Sequence, residues 1–472
     1  MDNISNMTYG KDFRKKNLPM EGKYPVYGAN GIIGHHNKFT NENASLIIGC
    51  RGSVGNTLIS HYPCFITHNS LIIEPHDTID LRYLKYSIDA EDKTNTITGT
   101  SQPQITIANL KKLKIKLAPQ NEQKRIVEKL DKLFLIVELA QARLDKIPAI
   151  FKKFRQSALH SAVTGELTKE WREGNKDVEH AKTLLIKAKI DREKEYKMVC
   201  DIAKKKGERK PKKPENLFPE CINKVDETLP IGWASANLKD ICSTKRYAMT
   251  SGPFGSSLGT KDYIESGISV IRGQNIQPSN FKSSNFVYIS EIKAKELERS
   301  QTSPGDIVIV AVGAGVGNSS IIPDSIKKAV LSQNCNKFSI DAKVAYNKFI
   351  LAALQISNIR SQMEDSTTDT ARQFLSLTNL KKIIFPLPPL EEQKEIVRRI
   401  DQLFKKVDQI EARYNKAKQF TNKLSQSILA KAFRGELAPQ DPNDEPAEKL
   451  LERIKKERGS QTKAKNKSRK ER

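Results

Sequence analysis

Residues 117–168 and 387–438 repeat each other without a gap at a separation of 270 residues, with 22 of 52 positions identical. Leu117-Ala118-Pro119-Gln120-Asn121-Glu122-Gln123-Lys124 returns as Leu387-Pro388-Pro389-Leu390-Glu391-Glu392-Gln393-Lys394, and Gly165-Glu166-Leu167 returns as Gly435-Glu436-Leu437. Solenoid repeats are far shorter, about 20–50 residues. This period describes one large module used twice, each copy ending in the same helical segment. A duplicated module of this size suits a target that is itself in two parts.

A chain of 472 residues exceeds one ordinary core, so several domains are expected. There is no run of eighteen apolar residues and no signal peptide in Met1-Asp2-Asn3-Ile4. The expectation is a cytoplasmic protein without membrane contact. Cys50, Cys64, Cys200, Cys221, Cys242 and Cys335 form no CxxC pair, so they read as free thiols, with no metal site. The formal charge of +25 points to a polyanionic partner. It is uneven: residues 119–224 carry +9 and 388–472 carry +8, against +4 in each of 1–118 and 225–387. Runs such as Lys204-Lys205-Lys206 and the tail from Arg453 to Arg472 taken alone suit solvated segments, and taken with the duplication they favour a nucleic-acid partner.

Residues 1–118 are rich in Gly and Asn around short β-branched runs, such as Ser45-Leu46-Ile47-Ile48, that read as strands. Residues 119–170 are a helical spacer and 171–224 a charged helical extension. A second globular domain covers 225–388, a second helical spacer 389–440, and a basic tail 441–472. The two spacers carry heptad seams. Ile126, Leu130, Leu133, Val137, Ala140, Leu144 and Ile147 are spaced 4-3-4-3-4-3, and so are Ile396, Ile400, Leu403, Val407, Ile410, Tyr414 and Ala417. A single helix cannot bury such a stripe, and the nearest partner is the other copy, which predicts an intramolecular coiled coil. Pro119 and Pro389 mark the starts, first-turn Glu122 and Glu392 suit the helix dipole, and Gly165 and Gly435 suit the stops. Pro148 should kink or break the first copy, where the second has Lys418. A helix from 122 to 163 would be about 60 Å long, enough to hold two readers one or more duplex turns apart.

The globular domains are related too. Thr106-Ile107-Ala108-Asn109-Leu110-Lys111-Lys112 matches Ser376-Leu377-Thr378-Asn379-Leu380-Lys381-Lys382, and Val54-Gly55-Asn56 matches Val316-Gly317-Asn318. Elsewhere they diverge, as two readers of different sequences would.

Several strings make the chain resemble the specificity subunits of type I restriction–modification systems, a phage-defence apparatus. They are the 389–397 and 427–437 segments, Leu229-Pro230-Ile231-Gly232-Trp233, and Ser251-Gly252-Pro253-Phe254-Gly255-Ser256-Ser257-Leu258. The closest likeness is to the subgroup with a basic C-terminal tail. The resemblance implies an α+β fold: two mixed α/β target-recognition domains joined by two long helices in an antiparallel coiled coil. It implies double-stranded DNA as ligand, read at a bipartite asymmetric site. Two methyltransferase subunits would bring S-adenosylmethionine, and restriction subunits would bring ATP and Mg. This chain would hold no cofactor and make no bonds, in a bacterial or archaeal cell. One departure is visible: only 23 residues precede Tyr24-Pro25-Val26-Tyr27, and the first domain has no Pro-x-Gly-Trp, so either that domain is short by its opening elements or the start codon is placed too far downstream.

No catalytic constellation is present. An adenine methyltransferase needs an amide or acid before two prolines and an aromatic. Pro388-Pro389 stands between leucines. Gly313-Ala314-Gly315-Val316-Gly317 follows a strand-like run, but no helical pattern follows it, so it reads as a tight turn. Base reading needs Arg, Asn, Gln or Ser on loops. The candidates are Asn30, Arg51, Ser53, Gln102 and Gln104 in the first domain, and Arg272, Gln274, Asn275, Arg372 and Gln373 in the second. Two other readings stay open: an autonomous two-headed DNA-binding protein, and a scaffold whose coiled coil only oligomerises.

Overall fold

A computed structural model describes residues 1–13, 22–217, 227–278, 280–313, 315–365 and 374–470. The chain forms two compact units, one of Met1–Ile147 with Arg413–Arg472 and one of Pro148–Ala412. The helices used below are α1 (Leu81–Ala90), α2 (Gln120–Leu144), α3 (Ile147–Val163), α4 (Ala181–Lys205), α5 (Asn347–Leu354), α6 (Leu390–Ala432) and α7 (Ala447–Lys470). The strands are β1 (Ser5–Tyr9), β2 (Leu46–Gly49), β3 (Thr57–Ile59) and β4 (Ser70–Pro75) in the first unit. In the second they are β5 (Ala234–Asn237), β6 (Met249–Ser251), β7 (Ile307–Val310), β8 (Ser319–Ile321), β9 (Cys335–Phe338) and β10 (Ile384–Leu387).

In the first unit β1, β4, β2 and β3 lie side by side in that order. The run Leu46-Ile47-Ile48 is apolar throughout because both faces of the sheet are covered. Side chains alternate across a strand, so Leu46 and Ile48 join Leu84, Ile88 and Leu110 on the helix side, while Ile47 packs with Tyr27 and Ile66 of a three-stranded sheet on the other. The second unit repeats this with β6, β9, β7 and β8. There Ile307 and Ile309 face Phe349 and Ile350 of α5, and Val308 and Val310 face Ala329 and Leu331 of a second four-stranded sheet. The sheet-and-helix domains and the paired helices are the α+β fold expected from the sequence.

Each domain is clamped to its helix by a repeated glutamine. Gln123 accepts a hydrogen bond from the Asp80 amide and donates to the Ala118 carbonyl. Gln393 accepts from the Tyr346 amide and donates to the Pro388 carbonyl. Both amides are fully buried, which gives their recurrence at one motif position a physical cause.

In each unit the spacer helices run antiparallel. In the first, Ile126, Leu130 and Val137 of α2 pack with Ile428, Leu429 and Ala432 of α6, and the ion pairs run from Asp145–Lys418 to Arg125–Asp444. In the second, Arg155 of α3 bonds Asp408 and Glu411, and Arg399 reaches back to the Leu167 carbonyl. Pro148 does break the first copy: α2 stops at Leu144 and α3 starts at Ile147. Gly165 and Gly435 sit at φ +80° just past α3 and α6, the left-handed conformation that ends a helix.

The second seam needs correction. Ile396, Ile400 and Val407 are buried and Leu403 half-buried, but Ile410 is 52% exposed and Ala417 is exposed. Tyr414 stays half-buried, but the stripe otherwise moves to Glu411, Lys418 and Thr421 before it returns to Ile428. A helix drifts about 20° per heptad against a strict 3.5 repeat, and the partner is interrupted at Pro148. Beside Ile410 the pairing includes the ion pairs of Arg155 with Asp408 and Glu411.

The charged segments are also less solvated than their composition suggests. Ala181, Leu185 and Ala188 of α4 lie in the second unit's core, and Arg192 is 3% exposed. Its guanidinium donates to the carbonyls of Asn216, Asp240 and Cys242. The basic tail begins as α7, with Leu450 and Ile454 buried in the first unit's core.

Candidate nucleic-acid interface

In the first unit, three loops carrying the expected DNA contacts converge. Asn30 lies in the turn between the strands Tyr24–Gly28 and Gly31–His36, and its Oδ1 accepts from Asn56 Nδ2 at 3.0 Å. Arg51 bridges antiparallel to Gln104. Ser53 is exposed beside them, and a Cβ on Gly49 would fall 2.2 Å from the Ser53 carbonyl oxygen and 2.7 Å from that of Ala29. Only glycine lets these loops approach so closely. Gln102 is exposed on the same hairpin as Gln104, turned by Gly99 at φ +88°. Four candidates therefore gather, with Gln102 next to them.

The second unit treats its candidates differently. Asn275 is fully buried; its amide donates to the carbonyls of Lys282 and Ser284, and its Oδ1 accepts from the Arg272 amide. It cannot reach a base without opening that loop, so its placement as a DNA contact is corrected. Satisfying backbone groups in a tight loop uses the same residue type as base reading, and sequence does not separate the two. Arg272 and Gln274 both donate to the Asn285 carbonyl, at 2.8 and 3.1 Å. Gln274 is exposed and Arg272 half-buried. Arg372 and Gln373 lie outside the described residues. Just beyond them Phe374 bridges to Val312, the same bridge that joins Gln104 to Arg51 in the first unit. The neighbouring bonds confirm the equivalence: Ile105 N donates to Cys50 O as Leu375 N does to Ala311 O. Gly313, Gly315 and Gly317 have φ near +90°, with β8 following, so the tight-turn reading holds.

One basic feature escaped the sequence reading. A groove of about 850 Å³ in the second unit is lined by Lys212, Lys213, Lys245, Arg246 and Arg299, with Glu195 and Glu215 among its acids. Arg246 stacks on Tyr247 at 4.6 Å, and Tyr247 holds φ +64°, unusual for an aromatic residue. The string Lys245-Arg246-Tyr247 was the available signal. It draws together with Lys212 only because α4 folds back onto the domain.

The first-turn acids also do more than face a helix dipole. Glu392 is fully buried and accepts from Thr168 Oγ1 at 2.7 Å, Arg172 at 2.5 Å and Trp233 Nε1 at 2.9 Å. Glu122, 7% exposed, accepts no hydrogen bond among the described residues, and burial pushes its carboxyl above the ordinary range. One turn beyond Glu392, the guanidinium groups of Arg398 and Arg399 hold Glu395 down to about 2. Alongside the paired seams, large apolar side chains face solvent: Leu135, Ile136 and Leu139 on α2, and Ile150 and Phe154 on α3. No group of three metal-ligating side chains and no helix long and apolar enough to cross a membrane occurs among the described residues.

Residues 2–149 and 230–419 match the family described as the type I restriction modification DNA specificity domain. The chain is 30% identical to the EcoBI specificity subunit of Escherichia coli, over 98% of this chain and 92% of that one. It is 27% identical to the EcoDI specificity subunit of the same species, over 93% and 90%. A solved structure described as the basis of complex assembly and conformational transition of the type I R-M system covers 92% of this chain and 98% of its own, with a TM-score of 0.60 at 18% identity. Two sheet domains of one topology, each clamped to a copy of the same helix, and a family match across both of them lead to one conclusion: this chain belongs to the type I restriction–modification DNA specificity family.

Proposed function

We infer that the chain selects the DNA sequence for a type I restriction–modification complex, each sheet domain reading one half of a bipartite asymmetric site in double-stranded DNA. The observation that carries this is a shared frame with exchanged letters. The bridge that is Arg51–Gln104 in one unit is Val312–Phe374 in the other, on loops held by equivalent backbone bonds. Polar donors and acceptors read base edges, whereas apolar side chains read thymine methyls or shape. Two methyltransferase subunits dock on the spacer helices, where Leu135, Ile136 and Leu139 or Ile150 and Phe154 would be covered. Restriction subunits join outside them. S-adenosylmethionine, ATP and Mg belong to those partners, and the assembly works in the cytoplasm.

Methylome sequencing of a host expressing the chain with its methyltransferase and restriction subunits tests the reading. The expected result is adenine methylation at one asymmetric two-part motif. Arg51→Ala should then relax one half of the motif and leave the other intact. Full sequence-specific affinity of the isolated chain, with no complex on co-expression, would favour an autonomous DNA-binding protein instead.

A further inference from the structure

The basic groove of the second unit lies away from the loops that would read bases. Lys245, Arg246 and Tyr247 lead into β6 at Met249, which pairs with Phe338, and Phe338 also faces Ile307. Val312 follows β7 from its other end, after Val310, which faces Cys335. The groove, whose lining includes Ala248 and Met249, and the Val312–Phe374 bridge therefore sit at opposite ends of one sheet. Base reading at the bridge gives these cations no role.

The acids of the groove are engaged, while several of its cations are open. Glu215 is bound by Lys381, and Glu195 accepts from Thr244 Oγ1 at 3.1 Å. Lys245 and Arg299 are exposed and meet no acid among the described residues, and Arg246 has Glu298 at 3.9 Å. Lys212 and Lys213 come from the segment after α4. That segment is pinned to the domain, since the Asn216 amide donates to the carbonyls of Cys242 and Ser243 and Tyr196 donates to the Pro211 carbonyl. Cations from three separate stretches of chain thus surround one hollow. Arg192 also lines it. Its Nη atoms are spent on carbonyls, and its Nε is buried with no acceptor among the described residues, a rare state for a buried N–H.

We propose that this groove binds a small oligophosphate, a compact chain of linked phosphates such as ends a nucleoside triphosphate. Lys212, Lys213 and Lys245 supply point charges, and Arg246 and Arg299 supply the planar fork that matches phosphate oxygens. The Arg246 guanidinium rests on the Tyr247 ring, which fixes its plane. Small-ligand sites are concave hollows of about 300–1,000 Å³, and the groove, at about 850 Å³, is of that size. Duplex DNA offers instead an extended row of phosphates. The site is independent of the DNA-reading proposal, and either can fail without the other.

The probes are sodium tripolyphosphate and ATP, each titrated without Mg into the full chain by calorimetry at physiological ionic strength. Saturable binding of tripolyphosphate to one site is expected. Lys245→Ala and Arg299→Ala should each weaken it about tenfold, the loss of one charge-assisted hydrogen bond. Both change exposed side chains, so circular dichroism should show an unaltered fold. Lys348→Ala removes an exposed lysine outside the groove and should bind as the unaltered chain does. ATP binding no tighter than tripolyphosphate marks the phosphate chain itself as the ligand, and tighter binding marks a nucleotide. The proposal fails if neither probe saturates up to millimolar concentration, or if Lys348→Ala weakens binding as much as the groove variants do. It also fails if the groove variants weaken binding of a duplex without the methylated motif as much as that of tripolyphosphate, which would make the groove a DNA backbone contact.

Discussion

Glu122 and Glu392 hold the same place in two copies of one motif, and both are buried, yet one has three hydrogen-bond donors and the other none. The difference lies in what the surrounding chain supplies. Position 168 is threonine where 438 is alanine, and among the described residues no side chain donates a hydrogen bond to Glu122, on which the Arg125 charge acts more weakly than burial. A repeated residue can therefore be a hydrogen-bonded anchor in one copy and a weakly held acid in the other. Burial raises the energy of the charged form.

The largest effect should come from breaking the satisfied copy. Glu392→Ala leaves Arg172, Thr168 and Trp233 without their acceptor and should cost the second unit about 3–5 kcal/mol. Urea unfolding followed by tryptophan fluorescence reads this unit alone, because Trp171 and Trp233 both belong to it. Glu122→Gln should cost less than about 1 kcal/mol; equal losses in the two copies would erase the contrast. Next comes DNA: Arg51→Ala should weaken binding at one half-site by about 1–3 kcal/mol if the guanidinium is bidentate to guanine. A uniform loss on all sequences, with a shallower salt dependence, would make Arg51 a phosphate contact instead. The glutamine clamps should respond alike, Gln123→Ala and Gln393→Ala each costing about 1–3 kcal/mol by amide exchange near the helix start.

The smallest effect is on pH dependence, and the two units should differ in sign. Glu395 is held down to about 2, so its stabilisation of the second unit is present above about pH 4.5 and lost as pH falls toward 2. Glu122 is shifted upward from 4.5: its protonated form suits burial, so the first unit loses stability from this group as pH rises through the raised value. Acid titration of tryptophan fluorescence should lose part of its slope in Glu395→Gln, and Glu122→Gln should leave that signal unchanged.

Much of the frame was legible because it is written locally. The helix starts at Pro119 and Pro389, the stops at Gly165 and Gly435, the break at Pro148 and the strand Leu46-Ile47-Ile48 each depend on neighbours in the chain. The seam was legible as far as Val407 and failed at Ile410, where the register depends on an interrupted partner. Asn275 was misread because a loop-stabilising amide and a base-reading amide have one composition. Arg192 and the start of the basic tail were hidden for a related reason: a long cationic side chain buries only where carbonyls from distant segments converge on it.

The sequence by itself determined that a module is duplicated, that each copy carries a helix needing a partner, and that the heads it joins are unlike. Periodicity, breakers and repeats act over a few residues and survive in the linear order. Only the tertiary structure decided which first-turn carboxylate gathers three donors and which loops gather around Gly49. Those outcomes turn on groups such as Glu392 and Trp233, or Asn30 and Asn56, that are distant in sequence and meet within about 3 Å, and no local pattern encodes such a meeting.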